Sequence, residues 1–434
     1  MSIIINRILI CAFFISLKLT GISQIAPEFN PIPTNFNVES PYPVYALDIA
    51  YDSTDMNAQR FHLFLPDSVG NFPLVIYIHG GGYISNSPDI VLSSAERMQD
   101  IKFCLENGIA YASIGYRLIN NNGPDNEGVI KCLNDARRGL QFIRYYSDDL
   151  QIDPTKIALQ GSSAGASSSY WLGVRSDMAN ASSENPIDRE TTRVCAVFMS
   201  GPQASLDFYR WETDVFQNFD GNGTNYTLDS MENLMGFDRA SNFYGGLDSV
   251  QQILVDPALI QYRLDVDQLS HFSADDPPMF VSSQSNAQHP GQDLFHHAFH
   301  GREIQNAALS AGILEIKANI PLLNINTTDS ESGMQFLLRH LNDCSITASL
   351  NDLSPVDENI SIFPNPVDDR FSLNGKSKHY HVEILDAVGQ VKDNLGKISS
   401  DTPVDISWLP NGIYFLRLED KSSKRIELLK FIKI

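Results

Sequence analysis

The stretch Ile157-Ala158-Leu159-Gln160-Gly161-Ser162-Ser163-Ala164-Gly165 decides how the rest of the chain is read. Its first four residues make a short apolar run of strand length, and the residues after it, to about Gly173, suit a helix. Between them lies G-x-S-x-G. Small flanking residues permit a strained strand-to-helix turn that holds the central hydroxyl out at the top of a sheet, with the next N–H completing an oxyanion hole. Ser163 is therefore a candidate nucleophile. In a chain rich in Ser and Gly the same five residues also arise by chance, so their surroundings matter.

About 80 residues upstream the strand-like run Leu74 to Ile78 leads into His79-Gly80-Gly81-Gly82-Tyr83. Glycines at the end of a buried strand let the backbone turn sharply and leave N–H groups unencumbered, so that they can converge on one oxygen. Alone, this is equally a structural turn. Paired with the Ser163 motif it reads as an oxyanion loop. From about Thr34 to Leu350, short β-rich runs alternate with helix-length amphipathic stretches, which predicts an α/β domain: a mostly parallel sheet flanked by helices.

Composition agrees with a folded chain and excludes some partners. At 434 residues the protein is long enough for two or three units, and 43% hydrophobic content with 24 Phe and 16 Tyr argues against disorder. Asp and Glu number 52 against 31 Lys and Arg, a net charge of -21, and no basic stripe offsets it. Nucleic acid is excluded as an expected partner, and so is an anionic lipid surface.

At the N-terminus, Arg7 precedes the apolar run Ile8 to Leu17, and Gly21-Ile22-Ser23 offers small residues for cleavage before Gln24. Residues 1–23 read as a signal peptide. The run is about half of the roughly 20 residues that span a bilayer, so no transmembrane segment is expected. Cleavage removes Cys11 and leaves Cys104, Cys132, Cys195 and Cys344, without metal-ligand spacing. These allow three pairings, none favoured by the sequence, and buried single thiols are the plainer reading.

The large domain is expected over residues 24–349. Residues 350–359, polar and acidic with a proline, read as a linker. From 360 to 434 only strand-length runs remain, among them His381 to Leu385, Ile413 to Leu418 and Ile426 to Ile432, separated by turn signals such as Pro410-Asn411-Gly412. This predicts a small all-β sandwich. Its SIFPNPV (361–367), FSL (371–373), VEILDAVGQ (382–390) and LPNGIYFLRL (409–418) resemble, in order, the type A C-terminal sorting domain of the Bacteroidetes type IX (Por) secretion system. The resemblance implies a partner, the type IX secretion machinery, and export through the periplasm of a Gram-negative bacterium to the cell surface or beyond. A carbohydrate-binding β-module is the competing reading, but the segment shows no aromatic platform.

The large domain carries a second resemblance. His79-Gly80-Gly81-Gly82-Tyr83, Ile114-Gly115-Tyr116-Arg117-Leu118, Asn134-Asp135-Ala136-Arg137-Arg138, Ile152-Asp153-Pro154-Thr155-Lys156-Ile157 and the Ser163 motif look like the α/β-hydrolase fold in its carboxylesterase and hormone-sensitive-lipase-like branch, over roughly residues 40–345. The resemblance implies an oxyanion hole from the N–H groups of Gly81, Gly82 and Ala164, attack by Ser163 on an ester carbonyl, and a structural role for Asp135. Read from the residues alone, Asp135 and Arg137 pair on a helix surface. The Pro pair Pro277-Pro278 leads into the run Met279 to Ser282, and Asp293 then stands ahead of a helix, where the resemblance implies the acid. The alternative is a carboxylate that merely favours a helix N-terminus.

The base departs from the family pattern. It should follow the last strand, read as Ile313 to Ile320, and precede the final helix, Ser332 to Leu341. That interval contains no His. Without a positioned base a serine hydroxyl is a poor nucleophile. His289 and the cluster His296, His297 and His300 remain as candidates. As a base, His296 or His297 would swing over Ser163 from the acid's own loop. As a metal site, Asp293, His296 and His300 could share one helical face at i, i+3 and i+7. Structural or surface histidines are the third option.

These readings converge on a secreted serine carboxylic-ester hydrolase without a cofactor, acting through an acyl-enzyme on Ser163 upon a small-molecule or glycan-linked ester. The alternative is a hydrolase fold that lacks its catalytic His and serves as a binding protein or a metal-dependent variant built on Asp293, His296 and His300.

Overall fold

Along Phe72–Ile78, Leu74, Ile76 and Ile78 join one apolar cluster while Val75 and Tyr77 join another, and all five are buried. A strand covered on both faces belongs to the middle of a sheet with helices on either side. The computed structural model describes residues 25, 27–40, 42–217, 219, 226–344, 361–363, 367–374, 379–386, 391–399, 403–420 and 425–433. The expected signal peptide, the linker 350–359 and the Pro-Asn-Pro turn at 364–366 lie outside them. The chain divides into two compact units, 1–350 and 351–434.

In the first unit the strands are β1 Asn30–Pro31, β2 Val44–Ala50, β3 Arg60–Leu65, β4 Phe72–Ile78, β5 Ala110–Ile114, β6 Ile152–Ser162, β7 Val197–Ser200, β8 Met279–Ser282, β9 Ile316–Ile320 and β10 Ile325–Asn326. They form one sheet in the order β1-β2-β3-β5-β4-β6-β7-β8-β9-β10. From β5 to β9 all pairings are parallel; the flanking ones are antiparallel. Helices Val129–Tyr145, Ala164–Val174 and Ala298–Ala311 bury Ala136, Leu140, Tyr170 and Ile304 in the first cluster. Ala95–Glu106 and Gly333–Asp343 bury Ile101, Phe336 and Leu341 in the second. This is the expected α/β architecture. Ligands of such sheets bind outside the carboxyl ends of the strands, and a run of short helices between β7 and β8, including Phe237–Phe243, covers that edge.

Three local readings need correction. The last parallel strand begins at Ile316, because Gly312 ends the preceding helix in the left-handed conformation (φ 74°) and the chain turns before pairing. Asp135 is buried, 3% exposed, and does not form a surface pair with Arg137. It accepts two hydrogen bonds of 2.9 Å from the Arg117 guanidinium and one from Gln59. Finally, Cys195 and Cys344 form a disulfide, tying the chain just before β7 to the end of helix Gly333–Asp343, whereas Cys104 and Cys132 are buried free thiols. Among the described residues no helix is long and apolar enough to cross a membrane.

The second unit contains a three-stranded sheet, β11 Ser361–Phe363, β12 Arg370–Asn374 and β15 Val404–Asp405, and a four-stranded one in the order β14-β13-β16-β17, from Val391–Ser399, His379–Asp386, Gly412–Asp420 and Arg425–Lys433. Phe371, Val382, Leu416 and Phe431 lie in one shared core, the all-β arrangement that the strand-length runs predict.

Candidate functional site

Ser163 stands between the last residue of β6 and the helix Ala164–Val174, at φ 53° and ψ -121°, a conformation that costs a non-glycine residue roughly 1–3 kcal/mol. The surroundings enforce it. A Cβ on Gly161 would meet the Gly165 carbonyl oxygen at 2.1 Å, and one on Gly165 would meet that of Ile78 at 1.9 Å, so strand, turn and helix approach closer than any side chain allows. The amide of Ser163 donates to Ser200 O at 2.8 Å. Ala164 opens the helix, where the first amides lack intrahelical acceptors.

The glycine loop lies against this turn. The Tyr83 hydroxyl donates to Ala164 O at 2.8 Å and the Tyr116 hydroxyl to His79 O at 2.8 Å, so both ends of the loop are held by buried phenols. Gly81 (φ 114°) and Gly82 (φ 60°) supply the left-handed turn. His79 stacks on Tyr116 at 4.2 Å and is buried, which lowers its pKa to about 4 and keeps it neutral.

The loop between β8 and helix Ala298–Ala311 brings the remaining groups. His296 Nε2 lies 2.9 Å from Ser163 Oγ. Its Nδ1 lies 3.2 Å from Asp293 Oδ1, to which its backbone N–H also donates at 3.0 Å. A proton on Nδ1 directed at the carboxylate leaves Nε2 as the acceptor for the serine hydroxyl. Burial acts to raise the Asp293 pKa, but the Ser285 hydroxyl, which donates at 2.8 Å, and the neighbouring His296 outweigh it and hold the carboxyl below its ordinary value.

The other candidates go elsewhere. His297 is turned away from Ser163: its Nδ1 accepts from Phe299 N at the start of the helix, and its ring packs against Phe216, Phe219 and Phe299. Burial lowers its pKa to about 4. The helix begins only at Ala298, so Asp293, His296 and His300 do not share a helical face, which corrects the metal-site reading. His300 is buried, accepts from Ala204 N through Nδ1 and faces Leu294 O through Nε2 at 2.9 Å. The one metal-like group among the described residues, Asp48, His62 and Asp89, already pairs with Arg60 through both carboxylates.

Several residues escaped the sequence reading. Gln203 is 5% exposed and bridges the turn helix to the histidine loop, accepting from Ser167 Oγ and donating to Phe295 O, each at 2.8 Å. Leu206, Phe208, Trp211 and Phe243 give apolar walls to a cavity of about 300 Å³ that Ser163, His296, Gly81 and Gly82 also line. Arg239 reaches into the same cavity. No spacing signal marks these positions, because they come from the irregular segment between β7 and β8.

Residues 61–248 match the BD-FAE family model. Over that span the large unit is similar to this family. The BD-FAE match includes the glycine loop and Ser163 and stops before β8, so Asp293 and His296 lie beyond it. Residues 361–433 match the secretion system C-terminal sorting domain. Over 153 residues the chain is 31% identical to probable carboxylesterase 3 of Arabidopsis thaliana, covering 33% of this chain and 45% of that protein. Over 164 residues it is 27% identical to lipase 1 of Geotrichum candidum, covering 35% and 26%. The chain thus spans less than half the length of either relative. A solved structure described as a truncated form of carbohydrate esterase from gut microbiota superposes with a TM-score of 0.48 at 14% identity, over 69% of this chain and 96% of that one.

Proposed function

We propose that the protein is an exported carboxylic-ester hydrolase in which Ser163 is the nucleophile, His296 the general base and Asp293 the acid that orients it. The observation that carries this reading is the chain of contacts Ser163 Oγ to His296 Nε2 at 2.9 Å and His296 Nδ1 to Asp293 Oδ1 at 3.2 Å. His296 takes the Ser163 proton as Oγ attacks the ester carbonyl. The resulting oxyanion is received by the N–H groups of Gly81, Gly82 and Ala164. His296 then returns the proton to the leaving alcohol, and Asp293 stabilises the imidazolium between these steps. Water, deprotonated by His296, attacks the acyl-enzyme, and the acid departs as Ser163 regains its proton.

The sorting-domain match supports export to the cell surface or beyond, with residues 1–23 as the signal peptide, residues 24–349 as the hydrolase domain, a linker at 350–359 and the sorting domain at 360–434. The substrate class that follows is an extracellular small-molecule or glycan-linked ester. Mass spectrometry after treatment with a fluorophosphonate tests the nucleophile: an adduct on the peptide carrying Ser163, absent from Ser163→Ala together with turnover of 4-nitrophenyl acetate, is expected. Full activity in the folded Ser163→Ala variant overturns the assignment.

A further inference from the structure

A guanidinium with no carboxylate or hydrogen-bond partner among the described residues stands in the wall of this cavity. Arg239, on the helix Phe237–Phe243, lines it beside Gly82, Ser163 and His296. Its guanidinium lies over the Phe295 ring at 4.4 Å. A Cβ placed on Gly82 would come within 2.6 Å of Arg239 Nη2, so a side chain there would displace the guanidinium. Other arginines of this region are engaged: Arg263 with Asp207, Arg210 with Asp214 and Asp267, and Arg302 with Glu303. Among the described residues Arg239 has no carboxylate within ion-pair distance and donates no hydrogen bond.

That is an unusual state for a half-buried guanidinium. Removing a charge from water is unfavourable unless a counter-charge and hydrogen bonds replace the lost hydration. Burial accordingly lowers the Arg239 pKa, with no anion acting against it. The Phe295 ring covers the guanidinium from one side, and its N–H fork, which donates no hydrogen bond among the described residues, is suited to binding a carboxylate through two parallel hydrogen bonds. An aliphatic or aromatic residue would suit a purely apolar ester here and would avoid the desolvation cost.

We propose that Arg239 is a specificity-determining residue, which receives a carboxylate carried on the acyl or the alcohol part of the ester. The assignment rests on the esterase reading of Ser163 and adds to it a substrate class, the anionic esters. Gly82 serves both groups, presenting its N–H toward the oxyanion and leaving room for the guanidinium.

Matched pairs of esters test this on the full chain. 4-Acetoxybenzoate against its methyl ester places the charge on the alcohol part, and monomethyl adipate against dimethyl adipate places it on the acyl part. The expected result is a kcat/KM at least tenfold higher for the anionic member of one pair, which also names the side. In Arg239→Gln that ratio falls to near one or below through a rise in KM for the anion, and Arg239→Lys retains part of it. Equal loss on both members of each pair would mean that Arg239 acts on the reaction's own oxyanion or on folding, and overturns the proposal. So does a wild-type preference for the neutral esters. Calorimetric titration of Ser163→Ala with 4-acetoxybenzoate and its methyl ester, and of the double variant with Arg239→Gln, keeps the two readings apart. Anion-selective binding lost with Arg239, in a protein that turns over no ester, sinks the esterase reading alone; turnover without anion selectivity in rate or binding sinks the Arg239 assignment alone.

Discussion

Asp293 and His296, three residues apart on one loop, are joined twice, since the carboxylate Oδ1 accepts the backbone N–H of His296 at 3.0 Å and lies 3.2 Å from its Nδ1. In the proposed relay both base and acid sit on the loop after β8, and the place where the family resemblance puts the base is otherwise occupied. After β9 the chain makes a turn, pairs back as β10 and enters the final helix through a capping box between Ser332 and Gln335. With both groups on one loop, their aim at Ser163 depends on what holds that loop.

Gln203 is one such contact, and its effect is measurable. Replacing it by Ala leaves Phe295 O without its donor and the Ser167 hydroxyl without its acceptor, while the backbone N–H of residue 203 still donates to Ser167 Oγ; the loss costs about 1–3 kcal/mol of stability. It should also lower kcat by roughly tenfold or more, because small misplacements of a reacting group carry large rate penalties. Urea unfolding together with turnover of 4-nitrophenyl acetate reads both. A stability loss with unchanged kcat would show that the bridge does not set the aim of His296.

The disulfide between Cys195 and Cys344 closes a loop over a sequence separation of 149, and covalent closure of a long loop restricts the unfolded chain. Cys344→Ser should lower stability by about 2–5 kcal/mol. Reductant should destabilise the wild type and leave the variant as it is. Equal melting temperatures for oxidised and reduced wild type would contradict the bond.

Acid should weaken the first unit through its buried histidines, against a partial offset from Glu190 and Asp276, whose carboxyls burial raises to about 7 and about 6 and which favour the folded state as pH falls. Burial lowers His79 and His297 to about 4 and His300 to about 3. The unfolded chain, with imidazoles near 6.5, therefore binds more protons below that pH than the folded one. Stability rises with pH in this window, so its contribution is complete above about 6.5 and is lost as pH falls towards 4. Urea midpoints should decline from pH 6.5 downwards, by roughly 1 kcal/mol per pH unit for each imidazole once below it. A flat midpoint between pH 7.5 and 5 would count against neutral burial.

Much of the frame was legible because it depends on local pattern. The run Leu74 to Ile78, with its following glycines, and the G-x-S-x-G turn each declare a backbone geometry that few other sequences permit. The tail's strand-length runs likewise match β13, β16 and β17. What escaped depends on distance across the fold. Nothing near Cys195 names Cys344, and Asp135 looks like a surface carboxylate until Arg117 is seen beside it. The sequence brought His296 and His297 forward as equals, and only the start of the helix at Ala298, which makes His297 its cap, separates them. Arg239 and Gln203 carry no motif at all.

The central claim is that His296, on the acid's own loop, is the base for Ser163. Its most direct test is kcat of His296→Ala with 4-nitrophenyl acetate, measured beside His297→Ala and with circular dichroism to establish folding. Nucleophile and base act as a unit. The account predicts a fall of about a thousandfold or more for His296→Ala, as deep as that for Ser163→Ala, and a change within about tenfold for His297→Ala. A folded His296→Ala enzyme that keeps more than a tenth of wild-type kcat would contradict it.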